Sequence, residues 1–289
     1  MTGGSSAPLL EVEDLRIGFR SPHGVVEAVR GIDFSVGREK LGIVGESGSG
    51  KTCTGRAILR LLPDHAELSA RRFVFDGTDL LASSEHDMRR IRGRRISMIM
   101  QDPKFSLNPV MTVGAQIAEA YATHARTNSR EARRRALAML EAVRIRDPER
   151  VFAAYAHELS GGMGQRVMIA MMLITDPDLL IADEPCSALD VTVQMQVLAI
   201  IDDLVRQRGM GLIFISHDLN LVASFCDRVL VMYGGQIVES CAAAELHRAA
   251  HPYTRGLLAA LPRLERPVEE LAVLERDPAW LRPQERVAR

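Results

Sequence analysis

The chain is poor in aromatic residues, which make up 4% of its 289 positions and include one tryptophan. Its hydrophobic share of 47% is therefore carried by Leu, Ile, Val, Ala and Met, the composition of a helix-rich globular domain. Lysine is scarcer still: only Lys40, Lys51 and Lys104 occur, so the placing of any one of them is informative. The cysteines, Cys53, Cys186, Cys226 and Cys241, show no CxxC spacing and no dense framework. That excludes a disulfide scaffold and points to free thiols in a reducing compartment. A formal net charge of -1 lacks the basic excess of a nucleic-acid-binding domain, so no nucleic-acid partner is expected. Long apolar runs are missing too. The best candidate, Val167 to Ile174, follows Arg166 and falls well short of the ~18–20 residues of a membrane helix. The opening MTGGSSAPLLEVEDL has no positive region leading into an apolar core, so no secretory signal is expected. Internal repeats and heptad runs are also lacking.

What is present is an alternation of short strand-like runs and helical periods. Leu9 to Phe19 and Gly31 to Val36 read as strands. Leu41 to Val44 is an apolar run ending in a glycine-rich turn, and a helical pattern covers Lys51 to Leu62. Further runs at Arg72–Phe75, Ile96–Met100, Leu179–Ala182, Leu212–Ile215 and Val229–Met232 are rich in Ile, Val and Leu. Such runs suit strands covered on both faces in a parallel sheet. From about Pro103 to Thr175 the pattern turns helical, with periods at Val113–Tyr121, Arg130–Val143 and Gly162–Leu173. We read this as a helical subdomain inserted into an α/β core, with a further helix at Val191–Arg208. After Leu264 the chain becomes charged and proline-containing.

GESGSGKT, Gly45 to Thr52, fits the phosphate-loop pattern GxxxxGK[ST]. Glycines let the backbone wrap tightly and aim its N–H groups at phosphate oxygens, and the following helix turns its positive end toward the same place. Gly45, Glu46, Ser47, Gly48, Ser49, Gly50, Lys51 and Thr52, with Cys53 directly after, form the expected nucleotide-binding stretch. Lys51 would reach the β and γ phosphates and the Thr52 hydroxyl would hold Mg²⁺. In DLLIADE, Asp178 to Glu184, four apolar residues carry Asp183 to the end of a buried strand. A carboxylate there can hold Mg²⁺, and Glu184 beside it can polarise an attacking water.

LSGGMGQR, Leu159 to Arg166, lies shortly before DLLIADE and resembles the signature motif of ABC transporter ATPases. Ser160, Gly161 and Gly162 at a helix start offer N–H groups and a hydroxyl to an anion. The resemblance implies that they meet the γ phosphate of ATP held by a partner's phosphate loop. It spans about Leu9 to Leu264 and carries over further roles. Gln101 in MIMQDP matches the residue that senses Mg²⁺ and the transporter, and Asp190 in SALD lies in the loop that crosses the dimer interface. His217 in FISHDL matches the switch histidine. Phe19 matches the aromatic that stacks on adenine, a core or edge phenylalanine being the other reading. The implied fold class is α/β: a P-loop, RecA-like ATPase core with an N-terminal antiparallel β part and an inserted helical subdomain. The ATPase domain would cover residues 8–264, with the helical subdomain at about 103–175 and a tail at 265–289.

VGESGSGKT, RISMIMQDP, SLNPVMTVG, ADEPCSALDVT and HPYTRGLLAALP together are similar to the ATPases of dipeptide, oligopeptide and nickel importers, in particular the first of their two ATPases. That resemblance implies ATP and Mg²⁺ as ligands and two transmembrane permeases, a second ATPase and an extracytoplasmic binding protein as partners. The place would be the cytoplasmic face of the membrane. An exporter ATPase is the alternative. Met163 and Gly164 depart from the usual signature, Ala156 replaces a proline and Cys186 a threonine. No cysteine follows Cys241, so the iron–sulfur tail of some relatives is not expected. Arg133–Arg135 and the arginines between Arg89 and Arg95 read as solvated faces or, less simply, as docking surfaces for acidic groups. The methionines Met163, Met168, Met171 and Met172 are expected to pack beneath the signature helix.

Overall fold

The computed structural model describes residues 7–101, 106–187 and 189–260, together with 277 and 280. Pro103 at the expected start of the helical subdomain, Ala188 of SALD, and the 265–289 tail apart from Asp277 and Trp280 lie outside these residues.

In chain order the first strands are β1 (Leu10–Ser21), β2 (Gly24–Val36) and β3 (Lys40–Val44), followed by α1 (Lys51–Ile58). Next come β4 (Ala66–Ser69), β5 (Arg72–Phe75), β6 (Thr78–Asp79), α2 (Glu85–Ile91) and β7 (Ile96–Ile99). The helices α3 (Val113–His124), α4 (Ser129–Ala142), α5 (Pro148–Ala153) and α6 (Gly161–Leu173) precede β8 (Leu179–Asp183) and α7 (Val191–Arg208). The chain then forms β9 (Gly211–Ser216), α8 (Leu219–Phe225), β10 (Arg228–Tyr233), β11 (Gln236–Ala242) and α9 (Pro252–Ala259). The chain divides into two compact units: residues 1–83 with 213–289, and residues 84–212. The second unit is thus one continuous stretch placed, in sequence, between the two segments of the first.

In the first unit, β1 and β2 form a long antiparallel hairpin, and β4 and β5 also pair antiparallel with β1. Alternation drives it: Leu10, Val12, Leu15 and Ile17 are buried while intervening residues are not. β5 corrects one expectation. Arg72–Phe75 joins this antiparallel sheet, with Leu10 opposite Phe75, and is not a doubly covered parallel strand. Its alternating burial, with Arg72 exposed beside Glu11, is the physical reason. β3 does behave as expected: it pairs parallel with β10, which pairs antiparallel with β11. Helix α1 is shorter than its periodicity suggests. Arg60 takes φ 50, and the N–H groups of Arg60 and Leu61 return to the carbonyls of Ala57 and Arg56, closing the helix before Pro63.

In the second unit, β7 and β8 pair parallel and every residue of both is buried. Met100, which the apolar run suggested as strand, is 42% exposed beyond the end of β7. The helices start at side-chain caps: Thr112 for α3, Asn128 for α4, Asp147 for α5, Ser160 for α6 and Asp190 for α7. Each cap accepts an otherwise unpartnered N–H of the first turn. Of the four methionines expected beneath the signature helix, Met168 is fully buried and Met163, Met171 and Met172 are half-buried. The basic run on α4 is neutralised locally: Arg133 pairs with Glu149, and Arg134 and Arg135 pair with Glu131.

Candidate functional site

The phosphate loop follows directly from β3. Gly45 has φ 151, and a Cβ built there would lie 2.1 Å from the carbonyl oxygen of Met232 on β10. Only glycine passes this point. Gly50 takes φ 99 at the N-cap of α1, where a Cβ would lie 2.6 Å from the Ala28 carbonyl. Between them the chain turns on itself, with the Ser49 N–H donating to the Glu46 carbonyl at 3.2 Å. Ser47 and Gly48 form the exposed tip and Ser49 is buried beneath.

Lys51 is the first residue of α1 and only 6% exposed. Its ammonium lies inside the loop, donating to the carbonyls of Gly45 at 2.7 Å and Glu46 at 2.8 Å, and to Ser49 Oγ at 3.5 Å. A buried cation needs such partners, and here the loop's own oxygens supply them. Thr52 and Cys53 follow, half-buried, on the first turn. The Glu46 N–H donates to the hydroxyl of Tyr253, 3.1 Å away on α9. Sequence reasoning missed this contact, because nothing in the HPYT spelling says what the tyrosine touches.

Two further expected residues lie in the same unit. His217 follows β9 and is exposed. The turn beneath it is fixed: the Asp218 N–H donates to Ser216 Oγ at 3.0 Å, and Asp218 Oδ1 caps α8 by accepting from Leu221 N–H at 3.0 Å. Phe19 is half-buried on β1 opposite Val26, with its ring 5.7 Å from that of His65. Val25 and Val26 are 51% and 62% exposed, so an apolar edge continues along this hairpin. His65 carries no sequence signal that could have found it.

The second unit holds the acidic residues. Ile99 of β7 is in register with Ala182 of β8. Two residues further along each parallel strand stand Gln101 and Glu184, and Gln101 Nε2 donates to Glu184 Oε2 at 3.1 Å. Asp183, the last residue of β8, is 5% exposed. Glu184 takes φ 46, a left-handed conformation that costs a non-glycine residue about 1–3 kcal/mol and tends to persist at functional sites. It turns the chain sharply at the strand end. The hydroxyl of Thr52, the carboxylate of Asp183 and the amide oxygen of Gln101 are hard oxygen donors, the kind Mg²⁺ takes. Each of these groups, taken by itself in its own unit, has the chemistry the expected ion requires.

Ser160 caps α6 by accepting from Met163 N–H at 3.4 Å, and Ser160 and Gly161 are exposed. A Cβ at Gly161 would meet nothing within 4 Å, whereas one at Gly162 would come within 2.7 Å of Val193 on α7. The first glycine thus leaves the helix start open and the second lets α7 pack close. Asp190 is an N-cap, accepting from Val193 N–H at 3.0 Å. Beside the start of α6 lies a cavity of about 450 Å³ lined by Leu107, Pro109, His157, Leu159 and Ser160, among others. No spacing or composition in the chain announces it. Cys186 and Cys226 are buried, and burial pushes each thiol up to about 12.

Residues 29–187 match the family model described as ABC transporter. The chain belongs to that family and is one of its ATPase subunits. It is 52% identical over 257 residues to the probable peptide ABC transporter ATP-binding protein y4tR of Sinorhizobium fredii, covering 88% of this chain and 77% of that one. It is 45% identical over 271 residues to the putative peptide import ATP-binding protein BAB2_1052 of Brucella abortus, covering 93% and 82%. In fold it is similar to the ATP-binding cassette MJ0796 solved as a dimer in a post-hydrolysis state with ADP and phosphate. That likeness has a TM-score of 0.71 at 24% identity and covers 81% of this chain and 98% of that one. Among the described residues no helix is long and apolar enough to cross a membrane.

Proposed function

We propose that this chain hydrolyses ATP to drive uptake of peptides or a related small solute through partner permeases. The peptide-transport and peptide-import names of its relatives support that substrate class over the exporter alternative. The hydrolytic part rests on one observation above all: Gln101 and Glu184 meet at 3.1 Å where paired strands end. The neutral amide donor orients the Glu184 carboxylate without neutralising its charge.

In this reading the loop from Gly45 to Cys53 binds the phosphates, with Lys51 turning from the loop's carbonyls to the β and γ phosphates. Thr52, Asp183 and Gln101 would hold Mg²⁺, which when bound offsets charge on the phosphate oxygens. Glu184 orients the attacking water and accepts its proton, and His217 steadies charge developing on the γ phosphate. Phe19 stacks on the adenine. Ser160, Gly161 and Gly162 present a helix N-terminus to the γ phosphate bound by a second ATPase. Asp190 holds the loop before α7 at the same interface.

Two transmembrane permeases, a second ATPase that is a different subunit, and an extracytoplasmic binding protein complete the assembly. The chain sits peripherally on the cytoplasmic face of the membrane. The ATPase domain runs over residues 8–264 with its helical subdomain at about 103–175, and the tail over 265–289. The test is Glu184→Gln, which keeps size and one oxygen but removes the charge. Mg·ATP binding should survive while turnover in the assembled transporter falls at least ~100-fold, or ~2.7 kcal/mol. Full steady-state turnover in that variant would rule the assignment out.

A further inference from the structure

The segment HPYT, His251 to Thr254, lies beyond the residues that hold nucleotide in the reading above, yet it reaches the phosphate loop. Glu239 on β11 seats it by accepting the N–H groups of Ala250 at 3.3 Å and His251 at 2.8 Å. His251 Nδ1 then accepts the Tyr253 N–H at 3.2 Å, and Pro252 opens α9. Tyr253 is 0% exposed. Its ring lies 4.4 Å from that of Tyr233, the last residue of β10. Its hydroxyl accepts the Glu46 N–H.

The same Glu46 peptide residue has its carbonyl 2.8 Å from Lys51 Nζ. Tyr253 thus grips one end of the residue whose other end grips the phosphate-binding lysine. The preceding glycine is pressed against Met232, the neighbour of Tyr233. Trp280 closes the cluster, with ring centroids 5.8 Å from Tyr233, 6.0 Å from His251 and 6.1 Å from Tyr253, all edge-on. A buried tyrosine hydroxyl needs a partner. A partner chosen on the phosphate loop ties loop geometry to the C-terminal segment.

We propose that Tyr253 is a positioning residue for the phosphate loop and Lys51, and that Trp280 is coupled to nucleotide binding through it. The inference rests on the phosphate-loop reading. Trp280 is the single tryptophan, so its emission isolates this cluster.

The experiment titrates the full chain with the non-hydrolysable Mg·β,γ-imido-ATP. Binding is followed by calorimetry and by Trp280 emission, and apo melting is recorded beside both. In the unaltered protein, emission should change saturably at the calorimetric Kd. Tyr253→Phe keeps the ring and removes the hydroxyl that accepts the Glu46 N–H. Its Kd should weaken about fivefold, the effect of one net hydrogen bond, and its emission change should shrink. A tyrosine that only packs the core would lower apo melting and leave Kd in place. A wild-type Kd in Tyr253→Phe, or a Trp280 unresponsive in unaltered protein that binds nucleotide, would overturn the inference. Lys51→Ala separates the two levels. If it binds as tightly as wild type, the phosphate-loop reading itself fails. If it loses binding while Tyr253→Phe does not, only the role of Tyr253 fails.

Discussion

Replacing Gly45 with alanine places a methyl group where the structure has no room. The built Cβ lies 2.1 Å from a backbone carbonyl oxygen, while real Cβ contacts essentially never fall below 3.0 Å. Met232 belongs to β10, whose hydrogen bonds to β3 and β11 prevent it from swinging aside as a flexible side chain would. Two costs combine. An alanine at φ 151 is strained by about 1–3 kcal/mol. Forcing packed backbone apart adds about 1–3 kcal/mol more. We expect Gly45→Ala to lose roughly 2–6 kcal/mol in urea unfolding, a large part of a typical domain's stability. The tool for reading this is a series. Gly48 has φ 82 but nothing within 4 Å of its would-be Cβ, so Gly48→Ala should lose only the conformational part, ~1–2 kcal/mol. Gly37 is open and has no left-handed φ, so Gly37→Ala should stay within about 0.5 kcal/mol of wild type. Urea midpoints and m-values for the three variants give the ranking directly. A Gly45→Ala protein as stable as Gly37→Ala would refute the reasoning.

Two other outcomes follow from the same region. Cys53 is half-buried one residue past Thr52, so saturating Mg·ATP should slow its alkylation, read by peptide mass spectrometry. Cys241, whose thiol is held above its ordinary value by burial and by Glu239 and Glu245, should react slowly and at a rate indifferent to nucleotide. A reactive Cys53 left unprotected would contradict its placement at the phosphates. His251 is held below its ordinary 6.5, chiefly by burial and also by Arg255, with Glu239 opposing. The unfolded chain therefore binds the proton more readily, so His251 contributes stability above pH 6.5 that is lost as pH falls through its folded value. Protonation also converts Nδ1 from acceptor to donor and breaks its bond to Tyr253 N–H. Urea midpoints should fall more steeply below pH 6.5 in wild type than in His251→Asn, and equal slopes would sink the idea.

Much of the fold was legible because the buried strands are short unbroken apolar runs. β3, β8, β9 and β10 fall within a residue or so of the expected ranges, and the long helix α7 coincides with its periodicity. The phosphate loop was legible because its glycines answer local backbone demands. Elements with mixed burial escaped. The first half of β2 exposes Gly24 to Glu27, and β11 is only partly buried, so neither shows a clean run. Helices α2 and α5 span 7 and 6 residues, too short for a period to declare itself. The pairing of Gln101 with Glu184 depended on strand register, which joins residues 83 apart and leaves no trace in spacing. The contact from Tyr253 to Glu46 spans 207 residues and was invisible for the same reason.

The first unit is assembled from both ends of the chain, and this orders events during synthesis. A ribosome that has released the first two hundred residues has already made the whole phosphate loop. It has not yet made β10, the strand that β3 lies beside and that Gly45 presses against. The continuous second unit can fold as it emerges, because its residues, 84–212, form one unbroken stretch of chain. The nucleotide loop must wait for the strand and then for Tyr253, which follows Glu46 by 207 residues. A chain cut short before β10 would carry every letter of the phosphate-binding motif but lack both the strand that Gly45 presses against and the hydroxyl that holds Glu46.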